Sequence, residues 1–287
     1  AITTITADQV TQINNIAAVT TGTVTATISG DHDTQSALST EGTDVLTITI
    51  SDAITTDEFA ALDAKTVGNI TLTAGLSDTA AKMAPAGTKS ANFNAAVAAP
   101  NAGIAITITG TDPTVAEVNA IAGATTGVVT ATIPAGNYAA QNALTTDEND
   151  VISVTVNDEI TVTQFDTLNG KTGGDITVSG GVSGTAAEFV STAGVVTASL
   201  TALDAQNTNF AVTTSDATNI AQYDAIDGVN GNGSITVASI ADTIANCTPS
   251  DAIHGLFTAN DGIAVALTAA TITDVTNINL IKGATTG

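Results

Sequence analysis

Arginine and tryptophan are absent from this 287-residue chain, and cysteine and methionine occur once each. The basic residues are five lysines, at 65, 82, 89, 171 and 282, against 28 acidic residues, for a formal net charge of −23. Nucleic-acid binding needs clustered Lys and Arg to neutralise phosphate, so no nucleic-acid partner is expected. An anionic membrane surface is disfavoured for the same reason. One cysteine excludes an intrachain disulfide, and Cys247 is expected as a small core residue. No apolar run approaches the ~18 residues of a membrane span, so direct membrane insertion is not expected. No signal peptide is visible. G-x-S-x-G, H-E-x-x-H, C-x-x-C and P-loop motifs are all missing, and no enzymatic activity is expected. Aromatic residues make up only 3%, so the core must be built from Val, Ile, Leu and Ala. Such aliphatic layers suit stacked, regular coils better than a compact core anchored by large rings.

What is present is a globular fraction of hydrophobic residues, 43%, with an acidic surface. Carboxylates without counter-charges repel unless salt, water or divalent cations screen them, which points to a salty or calcium-containing outside environment. The same acidity also confers solubility.

Self-similarity organises the chain. The stretch 19–28, Val-Thr-Thr-Gly-Thr-Val-Thr-Ala-Thr-Ile, recurs at 124–133 as Ala-Thr-Thr-Gly-Val-Val-Thr-Ala-Thr-Ile. Residues 44–50 match 150–156, and 75–81 match 181–187, with a diverged copy at 239–245. Thr285-Thr286-Gly287 begins another copy. The chain also starts at Ala1 rather than Met, and we expect it to be a piece of a longer protein. The repeats divide as 1–42, 43–100, 101–147, 148–206, 207–259 and a partial unit, 260–287.

Apolar triplets at i, i+3, i+6 mark one face of a short helix in each unit: Val10/Ile13/Ile16, Val115/Val118/Ile121, Val162/Phe165/Leu168, Ile220/Tyr223/Ile226 and Val275/Ile278/Ile281, with Phe59/Leu62 following Thr56 in unit two. Thr55 with Glu58 and Thr161 with Gln164 have capping-box spacing. Asp112-Pro113 reads as a cap followed by proline at the first helical position. Gly22, Gly68, Gly127, Gly174 and Gly233 follow the triplets and read as C-terminal glycines. On either side lie β-branched strands: Val45–Ile50, Ile104–Thr109, Val151–Val156 and Ile263–Leu267 before the helices, and Val24–Ile28, Ile70–Ala74, Val128–Ile133, Ile176–Ser179 and Ile235–Ala238 after them. Each unit therefore reads as strand, helix of about three turns, strand, with a parallel crossover. The fold class is α/β. Strands recur about every 26 residues, a solenoid-like coil length; several small βαβ domains in tandem, or closure into a (β/α) barrel, are the alternatives.

Few residues suggest chemistry. His32, between Asp31 and Asp33, reads as a loop residue or a weak metal ligand; His254 carries no motif. Asp57-Glu58 and Asp158-Glu159 read as helix-start carboxylates favoured by the helix dipole. Calcium is the ligand best matched by oxygen-rich, glycine-containing loops. The loop 227–233 supplies Asp227, Asn230 and Asn232 as candidate ligands, and 147–150 and 260–262 are further such loops; each also reads as a turn. Lys65 and Lys171, 106 residues apart, read as helix C-terminal charges or as donors of a Lys–Asn cross-link. Asn69, Asn232 and Asn246 head glycosylation sequons.

The Thr-Thr-Gly and Val-Thr-Ala-Thr-Ile blocks, with Asp78-Thr79-Ala80-Ala81 and its copies, resemble repeats of very large Thr/Ala/Gly-rich extracellular proteins of marine cyanobacteria, including S-layer-like and motility-associated surface proteins and giant adhesins. The resemblance spans nearly the whole chain. It implies a secreted structural or adhesive role, self-association and, in many such proteins, calcium; the glycine-rich calcium nonapeptide is not present here. The leading expectation is a self-associating structural repeat segment in a surface layer, filament or adhesin. A glycan- or host-binding module, as in a phage fibre, is the alternative. A polysaccharide-cleaving enzyme would need acids gathered in one coil, whereas the acids are spread along all units.

Overall fold

The computed structural model describes residues 5–259, 262–268 and 275–285. Asn260 and Asp261 of the third oxygen-rich loop, and Thr286-Gly287 of the last repeat start, lie outside the described residues. The chain is α/β, with strands in three parallel sheets. It divides into two compact units, Ala1–Pro134 with Ala143–Val154 and Gly170–Asp175, and Ala135–Asn142 with Thr155–Asn169 and Ile176–Gly287.

The first unit holds β1 (Thr25–Gly30), β2 (Val45–Ile50), β3 (Ile70–Leu72), β4 (Leu76–Thr79), β5 (Ile106–Thr109), β6 (Val129–Thr132) and most of β7 (Val151–Val156). One sheet runs β1-β2-β3, and β4, β5, β6 and β7 are successive neighbours in another. The second unit holds β8 (Ile160–Thr161), β9 (Ile176–Val178), β10 (Val182–Gly184), β11 (Val212–Thr218), β12 (Ile235–Asp242) and β13 (Val265–Leu267), with the order β13-β12-β11-β10-β8. Each sheet follows chain order. Thr25 faces Val45, Ile48 faces Ile70, Ile106 faces Val129, and Val212 faces Ile235. The sheets are separate rather than one continuous solenoid: the chain leaves the β1-β2-β3 sheet before β4, and leaves the sheet of β4, β5, β6 and β7 before β8.

Period-two alternation sets which side chains go in. Leu46, Ile48 and Ile50 of β2 and Ile152, Val154 and Val156 of β7 are buried, while their neighbours face out. The crossover helices Thr56–Asp63, Val115–Ala122, Val162–Asn169 and Ile220–Asp227 close the inner side with the expected triplets. Each is eight residues, just over two turns rather than three. All six phenylalanines (59, 93, 165, 189, 210 and 257) are buried, so the few aromatic rings are spent on a mainly aliphatic core.

Several local expectations are corrected. Thr114, not Asp112, caps Val115–Ala122, in a reciprocal box with Glu117; its hydroxyl is placed to accept from N3 whereas Pro113 still lies outside the helix. The helix Ala7–Val19 starts from Thr6 and runs 13 residues. Its extra turn carries Ile16 beyond the core, 55% exposed, so that only Val10 of that triplet is buried. The strands β4, β8, β10 and β11 have no counterpart in the sequence reading: β8 and β10 have two and three residues, β4 (Leu-Ser-Asp-Thr) has a single apolar residue, and β11 bulges between Thr214 and Ala217, which leaves too little period to detect. Among the described residues no helix is long and apolar enough to cross a membrane.

The expected glycines Gly22, Gly68, Gly127 and Gly233 are not C-caps. The C-caps are Ala64, Gly123 and Gly228. Gly68, Gly127 and Gly233 lie where the chain turns into the next strand, and a Cβ there would collide with the carbonyls of Leu46 in β2, and of Ile104 and Phe210 just before β5 and β11. They are glycine because two backbones approach too closely for any side chain. Gly22 has the same sequence context but no earlier strand beside it, and a Cβ there meets nothing closer than 3.4 Å.

Candidate functional site

The residues before these glycines lace successive strands together. Buried Thr66 accepts the N–H groups of Gly68 (2.8 Å) and Leu46 (2.7 Å), and its hydroxyl lies 3.0 Å from the carbonyl oxygens of Asp44 and Leu46. Thr172 repeats this with Gly174 and Ile152, both at 2.8 Å. Thr125 accepts from Gly127 (2.9 Å) and donates to Ile104 (2.7 Å).

Carboxylates make a second set of links. The first residue of a helix has an N–H with no partner inside the helix, at the positive end of its dipole. An aspartate in or just beyond the C-terminal part of the neighbouring strand accepts that N–H: Asp52 from His32 (2.8 Å), Asp158 from Tyr138 (2.7 Å), Asp216, in the β11 bulge, from Ala186 (2.7 Å), and Asp242 from Ile220 (2.9 Å). Asp78 accepts both the N–H of Thr56 (3.0 Å) and its hydroxyl (2.6 Å). In the next repeat Val162 and Gly184 stand at the positions of Thr56 and Asp78, and a Cβ on Gly184 would sit 3.3 Å from Val162 Cγ2. Both members of the side-chain pair are replaced together, so no hydroxyl is left without its carboxylate. Asp78→Gly alone should therefore destabilise by about 2 kcal/mol. Thr56→Val with Asp78→Gly, which reproduces the second repeat, should cost less than that single change, as read from urea midpoints.

These links border the site that most resembles a ligand surface, a polar cleft occurring twice in the first unit. One cleft presents Thr20, Gly22, Ser39, Glu41, Thr43 and Asp44. The other presents, in matching positions 105 or 106 residues on, Thr125, Gly127, Thr145, Asp147, Asn149 and Asp150. Asp44 spans its cleft floor, accepting the N–H of Val24 (2.8 Å) through Oδ1 and that of Glu41 (3.1 Å) through Oδ2. Asp150 accepts the N–H of Val129 (2.8 Å). Asp147 accepts both the backbone and side-chain amides of Asn149, at 2.8 and 2.9 Å. Neither lining contains His, Cys or Lys. The clefts therefore offer oxygen ligands, suited to a hard cation or to the hydroxyls of a polyol.

The other predicted residues are dispersed. Asp227 ends its helix and is exposed, and Asn232 is exposed, its N–H bound to Asn209 (2.7 Å). Asn230 is fully buried and donates to the carbonyls of Gly233 (2.7 Å) and Phe210 (3.4 Å), taking the place that Thr66 and Thr172 hold elsewhere. Among the described residues no group of three His, Cys, Asp or Glu is disposed to hold a metal. His32 lies 3.7 Å from Glu58 and 3.9 Å from Asp33, and His254 lies 3.2 Å from Asp224 while its Nδ1 accepts from Leu256 (3.2 Å). Lys65 and Lys171 donate to the Ser36 (2.5 Å) and Leu144 (2.9 Å) carbonyls, just after or within the short helix of the preceding coil rather than at their own helix. Cys247 is buried, and desolvation, followed by the charge of Asp242, pushes its thiol up to about 11.

No family model, curated protein or solved structure matches this chain. The functional reading therefore rests on the geometry described above.

That geometry carries a pH dependence. Glu58 is held below its ordinary value of 4.5, first by the N–H of Thr55, and then by the Thr55 hydroxyl and His32. Asp57 is lowered from 3.8 by its bond to Lys82, and Asp31 from 3.8 by the N–H of Thr34. A carboxylate with a depressed folded value contributes stability that is present above its unfolded value and lost as pH falls through the folded one. Urea midpoints should hold steady from neutrality to about pH 5 and decline below the ordinary carboxylate values of 4.5 and 3.8. Glu58→Gln should leave the neutral midpoint nearly unchanged, since Gln9, Gln164 and Gln222 fill the same cap position, and should make the acid decline shallower.

Proposed function

We propose that this chain is a structural repeat segment of a secreted cell-surface protein, in a surface layer, filament or giant adhesin, that self-associates through stacked, solenoid-like coils. The observation that carries the reading is where the polar groups go. Thr66, Thr172 and the five strand-end aspartates each bond the backbone of an adjacent coil. A chain whose polar residues serve coil-to-coil contact is suited to building an extended surface, because each coil presents the next with the same template. No enzymatic activity, nucleic-acid partner or membrane insertion forms part of this proposal.

Light scattering and negative-stain microscopy of the purified chain, in calcium and then in chelator, test it. Sheets or filaments that dissolve on chelation support a calcium-linked array. Assemblies indifferent to chelator keep the structural role and remove calcium from it. A strict monomer in both conditions sinks self-association. The twin clefts favour a second reading, an adhesive module recognising glycans. In that case a glycan array should give signal that falls when Glu41 and Asp147 are both changed to Ala.

A further inference from the structure

The outer faces of the sheets carry residues that the coil-to-coil links leave over. Thr25, Thr27, Thr47, Thr107, Thr109, Thr130 and Thr132 all point to solvent. Strand register sets such residues side by side. Thr27 lies opposite Thr47, and Ser29 opposite Thr49, which lies opposite Thr71. In the next sheet Ser77, Thr107 and Thr130 form one row. In the second unit Thr161, Ser183, Thr213 and Thr236 form another. Hydroxyls therefore recur at about 4.8 Å across strands and about 6.6 Å along each strand.

The composition of this face is as informative as its spacing. The outer positions of β1, β2, β3, β5, β6 and β7 hold only Thr, Ser and Val. None is charged, although the chain has 28 acidic and 5 basic residues. Without Lys or Arg the face offers nothing to an anionic polymer. Without carboxylates it cannot bridge to a mineral through cations. Without aromatic rings it has no platform for sugar faces. What it does offer is a two-dimensional lattice of hydroxyls and methyls, whose cross-strand repeat is close to one oxygen repeat on the prism faces of hexagonal ice and whose along-strand repeat is somewhat shorter than the other.

We propose that this threonine face binds ice. Each hydroxyl occupies the place of a lattice water, and each methyl fills the hollow beside it. A single contact is weak, and affinity comes from many contacts engaged in register at once. A regular array of coils supplies that multiplicity, whereas an isolated Thr-x-Thr strand does not.

The test is partition into slowly grown ice of the amine-labelled chain, compared with a non-binding globular protein, together with inhibition of ice recrystallisation. The chain should be enriched in ice several-fold over the control protein. Thr27→Tyr with Thr130→Tyr, on two exposed strand positions where tyrosine is well tolerated, should return it to the control level while the thermal melt stays in place. Ala205→Tyr, on an exposed helix position, should partition as the parent does. Should the tyrosine pair fail to fold, Thr107→Lys places a charge on the same face and should also abolish enrichment. Parent protein excluded from ice like the control overturns the proposal, and so does full enrichment of a folded face variant.

Discussion

Gly127→Ala should destabilise the first unit by about 3 kcal/mol, at the upper end of overpacking costs, while Gly22→Ala should shift stability by no more than about 0.5 kcal/mol. The two glycines occupy the same Thr-Thr-Gly motif, and helix or turn preference treats them alike. They differ in what lies beside them. A methyl at Gly127 would drive into the Ile104 carbonyl, with the Gly103 oxygen 2.6 Å away, whereas at Gly22 the nearest atom is the Thr20 hydroxyl at 3.4 Å. Backbone cannot swing aside as a flexible side chain can, so β5 and β6 would have to separate. Paired urea titrations decide the matter. Equal effects at the two sites would mean that close strand approach is not the reason for glycine at 127.

Thr172→Val should cost about 2–6 kcal/mol, the penalty for stranding two donors at about 1–3 kcal/mol each. Valine has nearly the shape of threonine, so packing is preserved and the change isolates the hydroxyl. That hydroxyl accepts the N–H groups of Ile152 and Gly174, both at 2.8 Å, in a buried setting. Thr172→Ser, which keeps the acceptor, should lose far less. Amide hydrogen exchange at Ile152 gives a local reading: its protection should fall in the valine variant and persist in the serine variant. A valine variant as stable as the parent would remove the threonine lacing from the account of how successive strands are joined.

Much of the fold was legible because burial imposes a period. Val45–Ile50 and Val151–Val156 alternate Thr or Ser with aliphatics, and both strands have the bounds that alternation predicts. The triplet Val162/Phe165/Leu168 marks a helix whose three named residues are all buried. Where the period is short or interrupted the reading failed. β10 has three residues, and β11 bulges between Thr214 and Ala217. The helix Ala7–Val19 shows a different limit: i, i+3, i+6 spacing reports which residues share a face, but not how far along that face the core extends, so Ile16 was expected inside and lies outside.

The candidate site divides in the same way. The repeat offsets of 105 and 106 residues were readable, and they place matching residues in both clefts. That Asp44, Asp78 and Asp242 serve as acceptors for backbone N–H groups of other segments was not readable, because the partners lie 20 to 22 residues away and carry no signature of their own. A pointer did exist: an acid recurs at or just after the end of a strand, at Asp52 and Asp158.

By itself, then, the sequence determined that this is an α/β repeat protein with parallel strands, aliphatic inner faces and no cationic surface. Alternation, helical spacing and charge are properties of neighbouring residues. Only the tertiary structure decided which glycines are sterically required, which threonines are buried acceptors and which face the solvent in rows, and which acids link successive helices and strands. Those roles depend on what the chain meets some twenty or more residues away, as Val24 meets Asp44 at a separation of 20, and the identity of a residue does not record its neighbour across a sheet.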